Sequence, residues 1–386
     1  MVIAVTQSDE VNLLTCVIAK QKQDCCTIAR VRNPIYSEER QFLCSELKLS
    51  MTINPEYEAA REMSRLLHFP SAIEVDTFAG GRIELLRFKL PADSMLCGRA
   101  LKDIPAKISK SVLICIVERG EGIVIPNGDY VVEGGDVLTV ILQPGSADYF
   151  FQTIGVRTNR VDNVMIVGGG EITYYLAQIL QNSGIEVKII EKNEQRCELL
   201  SEQFPEITVD CADGTDEVIL REERLDKMDA FISCTGIDEI NAILSLFAQE
   251  HVRRKTITKL NHVDFNDVIE KLQLDSVVNP KYLTAQNIVQ FVRATSNSMG
   301  SNVETLYRLM NNRVEALEFM IHKESRVTGV PLMDMKLKES ILIAGIVRDG
   351  ELIIPGGQDS FQVGDAVIII TTHLGFDDIY DILDER

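Results

Sequence analysis

Two rhythms of apolar and polar residues alternate along the chain. In the first, a short apolar run is followed by an apolar stripe at helical spacing. Met1 to Thr6 (MVIAVT) predicts a strand and Asp9 to Lys20 an amphipathic helix. Val164 to Val167 form the apolar run of a buried parallel strand. Ile172, Leu176, Ile179 and Leu180 then recur at helical spacing, Gly184 ends that helix, and Val187 to Ile190 make the next strand. In the second rhythm apolar and polar residues alternate one by one around Gly-Asp turns, as in IVIPNGDYVVEGGDVLTVI from Ile123 and LIIPGGQDSFQVGDAVIII from Leu352. This predicts a mainly antiparallel sheet in a small α+β unit. The fold class expected is α/β: Rossmann-like, doubly wound parallel sheets alternating with small α+β modules.

Both rhythms occur twice. Thr6, Asp9, Glu10 and Asn12 face Thr235, Asp238, Glu239 and Asn241 at an offset of 229, and Thr27-Ile28 and Arg30 face Thr256-Ile257 and Lys259 at the same offset. Asn54-Pro55 faces Asn279-Pro280 at 225, a slip that small changes in loop length explain. GRIELLRFKL from Gly81 pairs with NRVEALEFMI from Asn312, and Pro126, Gly128, Gly135 and Asp136 face Pro355, Gly357, Gly364 and Asp365, again 229 apart. Self-similarity over such a distance means two copies of one unit. The expected domains are a partial nucleotide-binding domain over 1–70, a small module over 74–158, a whole nucleotide-binding domain over 161–280, and a second module over 300–386. By the same offset, the counterpart of Gly168 in the first copy would precede Met1, so the chain reads as N-terminally truncated. A sheet lacking that half would leave the MVIAVT strand as a bare apolar edge, prone to association.

The clearest chemistry lies in NVMIVGGGEITYYLAQILQNSGIEVKIIEKN, residues 163 to 193. Gly168 permits a tight bend after the strand. Gly170, lacking a Cβ, lets a pyrophosphate approach the N-terminus of the following helix. Glu191 lies 21 residues beyond Gly170, where a ribose-binding acid is expected, and points to NAD rather than NADP. The third glycine of the G-x-G-x-x-G pattern is Thr173, bulkier where helix and strand should pack closely.

Composition narrows the partners. A net charge of −19 disfavours nucleic acid and anionic membrane surfaces, and no apolar run approaches the length of a membrane helix. Nine cysteines without C-x-x-C spacing argue against a disulfide framework and a zinc site; Cys25 and Cys26, adjacent on an extended segment, read as packing residues. The five histidines are scattered, without metal-ligand spacing.

Together VMIVGGGEI, VKIIEKN, CADGTD, FISCTGIDEIN and VIPNGDYVVEGGD resemble the regulator-of-potassium-conductance (RCK) architecture, and within it the TrkA family of cytoplasmic NAD-binding subunits of Trk potassium-uptake systems. The resemblance covers nearly the whole chain. It implies RCK N-terminal and C-terminal domains in tandem and a homo-oligomer, peripheral at the inner face of the plasma membrane. Such a protein docks on a Trk-type potassium transporter subunit and gates it in response to NAD(H) or ATP/ADP. Residue by residue, it implies that Gly168, Gly169, Gly170, Glu171 and Ile172 form the phosphate cradle, and that Glu191, with Lys192 beside it, holds the adenine ribose. Asp213 and Gly214 would follow the third strand near that ribose. Thr235, Gly236 and Asp238 would follow the fourth on the phosphate or nicotinamide side, and Lys259 would add a cation. Asp213 equally fits a turn or helix cap, Asp238 the acid of a helix first turn, and Lys259 a solvated strand end. Thr6, Asp9 and Arg30 are the first-copy counterparts, expected to bind nothing tightly without a glycine turn. Segments 282–295 and 56–67 read as helices, which the family uses for crossover and dimer contacts and which ordinary core packing would also explain.

A Rossmann half alone suggests an NAD-dependent oxidoreductase, the alternative reading. No tyrosine is followed four residues later by lysine, no His-Asp relay is evident, and neither G-x-S-x-G nor a P-loop occurs. A nucleotide site without an acid, base or nucleophile reads as a sensor, and no catalytic residue is expected.

Overall fold

The computed structural model describes all residues except 35, 37–39, 79–81, 106–111, 121, 157–159, 263–271, 298–302, 310–312 and 385–386. The residues that open the two repeat blocks, Gly81 and Asn312, lie outside the described residues. In chain order the first segment runs β1 (Val2–Ala4), α1 (Asp9–Lys22), β2 (Thr27–Arg30), α2 (Arg40–Glu46), β3 (Met51–Ile53) and α3 (Pro55–His68). It is followed by β4 (Glu74–Phe78), β5 (Ile83–Lys89), β6 (Val112–Arg119), β7 (Gly122–Val124), β8 (Val137–Leu142) and α4 (Ala147–Thr153). Next come β9 (Asn163–Val167), α5 (Glu171–Leu180), β10 (Glu186–Glu191), α6 (Glu194–Gln203), β11 (Thr208–Cys211) and α7 (Glu217–Glu222). This domain continues with β12 (Ala230–Ser233), α8 (Asp238–Gln249), β13 (Lys255–Lys259), β14 (Ser276–Val278) and α9 (Pro280–Asn297). The last segment holds β15 (Val303–Leu309), β16 (Val314–Met320), β17 (Ile341–Arg348), β18 (Glu351–Ile353) and β19 (Ala366–Thr371).

The chain divides into two units, residues 1–68 with 160–288, and residues 69–159 with 289–386. In the first unit, β9 to β14 form a parallel sheet of order β11-β10-β9-β12-β13-β14. Its central strands β9 and β12 are nearly continuous apolar runs, as strands buried on both faces are, and Val164, Met165, Ile166, Phe231 and Ile232 are fully buried. The first copy supplies a parallel sheet β1-β2-β3, which repeats β12-β13-β14. Among the described residues β1 has a neighbour on one side only, and Met1, Ile3 and Val5 are exposed, the apolar edge expected of this strand. On α1, Val11, Leu14 and Ile18 are exposed as well.

Helix α3 packs on α5. Asn54 and Asn279 start α3 and α9 in the same way, each accepting the amide three residues on (Tyr57, 3.0 Å; Tyr282, 2.9 Å) ahead of a proline at the first helical position. The buried Tyr175 of α5 meets Tyr57 edge-on with ring centroids 5.6 Å apart. Its hydroxyl donates to the Arg32 carbonyl at 2.7 Å and accepts from Asn54 at 2.9 Å. Such an aromatic pair contributes about 1 kcal/mol beyond its burial.

In the second unit both modules are five-stranded antiparallel sheets of the same order, β4-β5-β8-β6-β7 and β15-β16-β19-β17-β18. They share one core, to which one module gives Ile83, Leu85, Ile116 and Ile141 and the other Val314, Ala316, Ile368 and Ile370. The Gly-Asp turns build ion pairs here. Gly135 and Gly364 adopt φ of +94° and +97°, and the buried Asp136 and Asp365 take paired hydrogen bonds from Arg119 and Arg348 at 2.8 to 2.9 Å. Arg119 holds the Asp136 carboxyl below the usual carboxylate range.

Candidate functional site

The order of the parallel sheet reverses between β9 and β12, and a ligand crevice opens beyond the carboxyl ends of the strands at such a point. The glycine turn lies there. Gly168 has φ of +105°, and a Cβ on it would come within 2.6 Å of the Cys234 carbonyl, so the turn accepts no side chain. A Cβ on Gly169 would meet Leu200 at 2.8 Å and the Glu191 side chain at 3.0 Å. Gly170 caps α5 and faces open space, with no atom within 4 Å of a Cβ placed there. The first amides of α5 are thus left accessible at the positive end of its dipole. Glu171 is exposed at the start of α5 and Ile172 is buried beneath it.

Thr173 does not loosen the packing. It is fully buried, and its hydroxyl donates to the Gly168 carbonyl, so the side chain that replaces the third glycine locks the turn from below.

Glu191 holds the turn from the side. One carboxylate oxygen accepts the Gly169 amide at 2.6 Å and the other the Asn193 amide at 2.7 Å. The acid expected at a ribose therefore also fixes the turn to the end of β10, and each oxygen keeps a lone pair for a hydroxyl donor. Lys192 beside it is exposed.

Arg196, on the first turn of α6, was not legible as a site residue. Its Nε donates to the Gly169 carbonyl, its Nη1 lies 3.3 Å from Glu171, and its guanidinium stands 6.0 Å from the centre of the Tyr174 ring. Its Nη2 is buried and has no hydrogen-bond partner among the described residues. A buried cationic donor left unpaired costs about 1–3 kcal/mol or more.

Beyond β12, Asn241 organises the floor. Its Oδ1 accepts the Thr235 amide (2.9 Å) and hydroxyl (2.7 Å), and its Nδ2 donates to the Thr235 and Lys259 carbonyls. Lys259 is not a solvated strand end: Nζ donates to the Thr235 carbonyl at 2.9 Å. Gly236 is exposed with open space around it. Asp238 accepts the amides of Asn261 and His262 at 2.9 to 3.0 Å and His262 Nδ1 at 3.1 Å. Burial opposes its ionisation, but the Asn261 and His262 donors outweigh that and hold its pKa low. His262 thus stands at the site, although its spacing in sequence shows nothing. Asp213 turns its carboxylate onto the Thr215 amide and hydroxyl, the turn-capping role, and these hydrogen bonds lower its pKa. Gly214 is required by space, since a Cβ there would meet Val167 at 2.5 Å.

The first copy repeats this floor, with Arg30 in the place of Lys259. Asn12 accepts the Thr6 amide (2.7 Å) and hydroxyl (2.8 Å) and donates to the Thr6 and Arg30 carbonyls, Arg30 donates to the Thr6 carbonyl, and Asp9 accepts the amides of Arg32 and Asn33. Asp238 and Asp9 therefore share a scaffold role, tying the helix start to the loop after the next strand. Cys25 and Cys26 are half-buried and precede β2 rather than lying within it. No group of three or more His, Cys, Asp or Glu side chains among the described residues could hold a metal, and no described helix is long and apolar enough to cross a membrane.

Comparison with known proteins matches these elements. The TrkA-N domain model matches residues 164–280, and the TrkA-C domain model matches residues 85–155 and 316–384. The chain is 30% identical over 379 residues to Trk system potassium uptake protein TrkA homolog 1 of Methanosarcina mazei, covering 96% of this chain and 83% of that protein. It is 31% identical over 367 residues to the TrkA homolog of Archaeoglobus fulgidus (95% and 81%), and 28% identical over 377 residues to TrkA of Haemophilus influenzae (96% and 81%). Among solved structures it resembles the GsuK RCK domain with a TM-score of 0.58 at 17% identity, covering 95% of this chain and 77% of that one. The GsuK channel bound to NAD is similar with a TM-score of 0.57 at 16% identity, covering 96% of this chain and 64% of that one.

Proposed function

The chain belongs to the TrkA family, and from that premise we propose that it is the NAD(H)-sensing regulatory subunit of a Trk-type potassium uptake system, acting on a membrane potassium transporter from the cytoplasmic face. One observation carries the reading of the site: the open Gly170 end of α5 leaves its first amides accessible at the glycine turn, beside the Arg196 guanidinium that holds the Gly169 carbonyl, where a pyrophosphate would be held. Glu191 would take the ribose hydroxyls. A bound dinucleotide supplies charge and a rigid bridge across the switch point. The GsuK channel, a neighbour in fold, has been seen bound to NAD. ATP and ADP offer the same phosphate chemistry and are the competing effectors.

The ionisable groups around the cradle support a sensor rather than an oxidoreductase. Glu191, Asp238 and Lys259 are engaged with backbone groups, which suits them to positioning and leaves proton transfer to a substrate without an assigned group. Regulation would be a shift in population. Moving a 1:99 equilibrium to 99:1 takes about 5.5 kcal/mol of differential affinity, so the nucleotide must contact two conformations differently. Helix α5 is placed to transmit this, since its N-terminus forms the cradle while Tyr175 grips the first copy through Arg32 and Asn54.

The test is potassium flux in vesicles carrying a Trk-type transporter and this protein, with and without NADH. The expected result is a nucleotide-dependent change in flux with no consumption of NADH. Flux that ignores nucleotide while NADH binds would overturn the regulatory reading, and substrate-dependent oxidation of NADH would favour the dehydrogenase.

A further inference from the structure

Two cysteines fourteen residues apart, on consecutive elements, flank Glu191. Cys197 lies on the first turn of α6, one residue after Arg196, and its thiol donates to the Glu191 carbonyl at 3.1 Å. Cys211 ends β11 and is the register partner of Glu191 in the adjacent parallel strand, one strand spacing of about 4.8 Å away. The two cysteines thus flank the same residue. Cys197 is buried and Cys211 exposed. No contact with the cradle requires Cys211, so its role is open.

We infer that Cys197 and Cys211 form a reversible disulfide under peroxide, and that this bond weakens nucleotide binding at the glycine turn. The inference rests on reading that turn as a nucleotide site. The exposed Cys211 meets the oxidant first: its sulfur takes a hydroxyl from hydrogen peroxide to give a sulfenic acid, and one water leaves. The Cys197 sulfur then attacks, the S–O bond breaks, the S–S bond forms, and the Cys197 proton departs with the hydroxide as a second water. Two thiols lose two electrons and peroxide gains them. Burial, then the neighbouring Cys211, pushes the Cys197 thiol up to about 12, which leaves the first step to Cys211 and makes the second, which needs the Cys197 thiolate, faster as pH rises. In a reducing compartment such a pair is transient and serves sensing rather than stability.

The effect on the site follows from α6. Its first turn carries Arg196, which holds the Gly169 carbonyl, and its cap Asn193, whose amide holds Glu191. Oxidation removes the Cys197 hydrogen bond to the Glu191 carbonyl and draws this turn toward β11, away from Gly169. Arg196 and Glu191 then no longer clamp the glycine turn together.

The experiment takes the full chain, reduced and then treated with hydrogen peroxide. Non-reducing peptide mapping by mass spectrometry locates the cross-link, and calorimetry with NADH gives Kd for the reduced, oxidised and dithiothreitol-restored protein and for Cys211→Ser. The expected result is a Cys197–Cys211 cross-linked peptide, a Kd weakened roughly tenfold and restored by dithiothreitol, and no effect of peroxide on Cys211→Ser. Absence of the cross-link, a cross-link with unchanged Kd, or a loss of affinity that persists in Cys211→Ser would each overturn it. Failure of the reduced protein to bind NADH would overturn the nucleotide reading and the regulatory effect with it. That outcome is distinguishable because the cross-link is read without nucleotide.

Discussion

Arg196 and Thr173 show how single residues set the site. Arg196→Ala removes a cation from the cradle along with its grip on Gly169, and should weaken NADH binding about tenfold while leaving the thermal transition nearly unchanged. Equal affinity in titrations of the two proteins would remove Arg196 from the site. Thr173→Val keeps the volume and deletes the bond to Gly168, and should cost about 1 kcal/mol in denaturant unfolding. Asp238 gives a pH signature. Its folded pKa is depressed, so the stability it contributes is present above its ordinary value near 3.9 and is lost as pH falls through the lower folded value. Asp238→Asn should therefore flatten the acid limb of the stability profile, which urea unfolding at a series of pH values would show. The glycines and Glu191 were legible because the turn needs those residue types at that spacing. Arg196 and His262 were not, because their roles depend on how α6 and the loop after β13 are oriented, and no periodicity in the sequence encodes that.

At the scale of elements, the repeat was the most informative sequence signal. The offset that pairs Thr6 with Thr235 also pairs Asn12 with Asn241 and Arg30 with Lys259, and the structure shows the same network in both places. The Gly-Asp turns were legible as turns, whereas their ion pairs were not, because Arg119 and Arg348 lie 17 residues before their partners on another strand. Asp365→Asn should destabilise the second unit by about 2 kcal/mol, since it leaves the Arg348 guanidinium with part of its bonding lost at a buried site. Hydrogen exchange in β17 and β19 would report it. The grip of Tyr175 on Arg32 and Asn54 was hidden as well, because sequence patterning places apolar faces without saying which helix of the other copy each will meet.

Taken as a whole, the molecule joins a six-stranded parallel-sheet domain matched by the TrkA-N model to a three-stranded copy that keeps the Thr6, Asn12 and Arg30 network. Among the described residues β1 has no strand on its outer side and carries exposed apolar side chains, so the chain should self-associate as its concentration rises, and Ile3→Lys should reduce that in sedimentation velocity. The glycine turn and Glu191 would together bind a dinucleotide, and calorimetry with NADH on the wild type and on Glu191→Ala tests this. The wild type should bind, and the variant, having lost both the ribose acceptor and the brace on Gly169, should bind at least about tenfold more weakly. Equal binding by the two proteins, or none by the wild type, would contradict it.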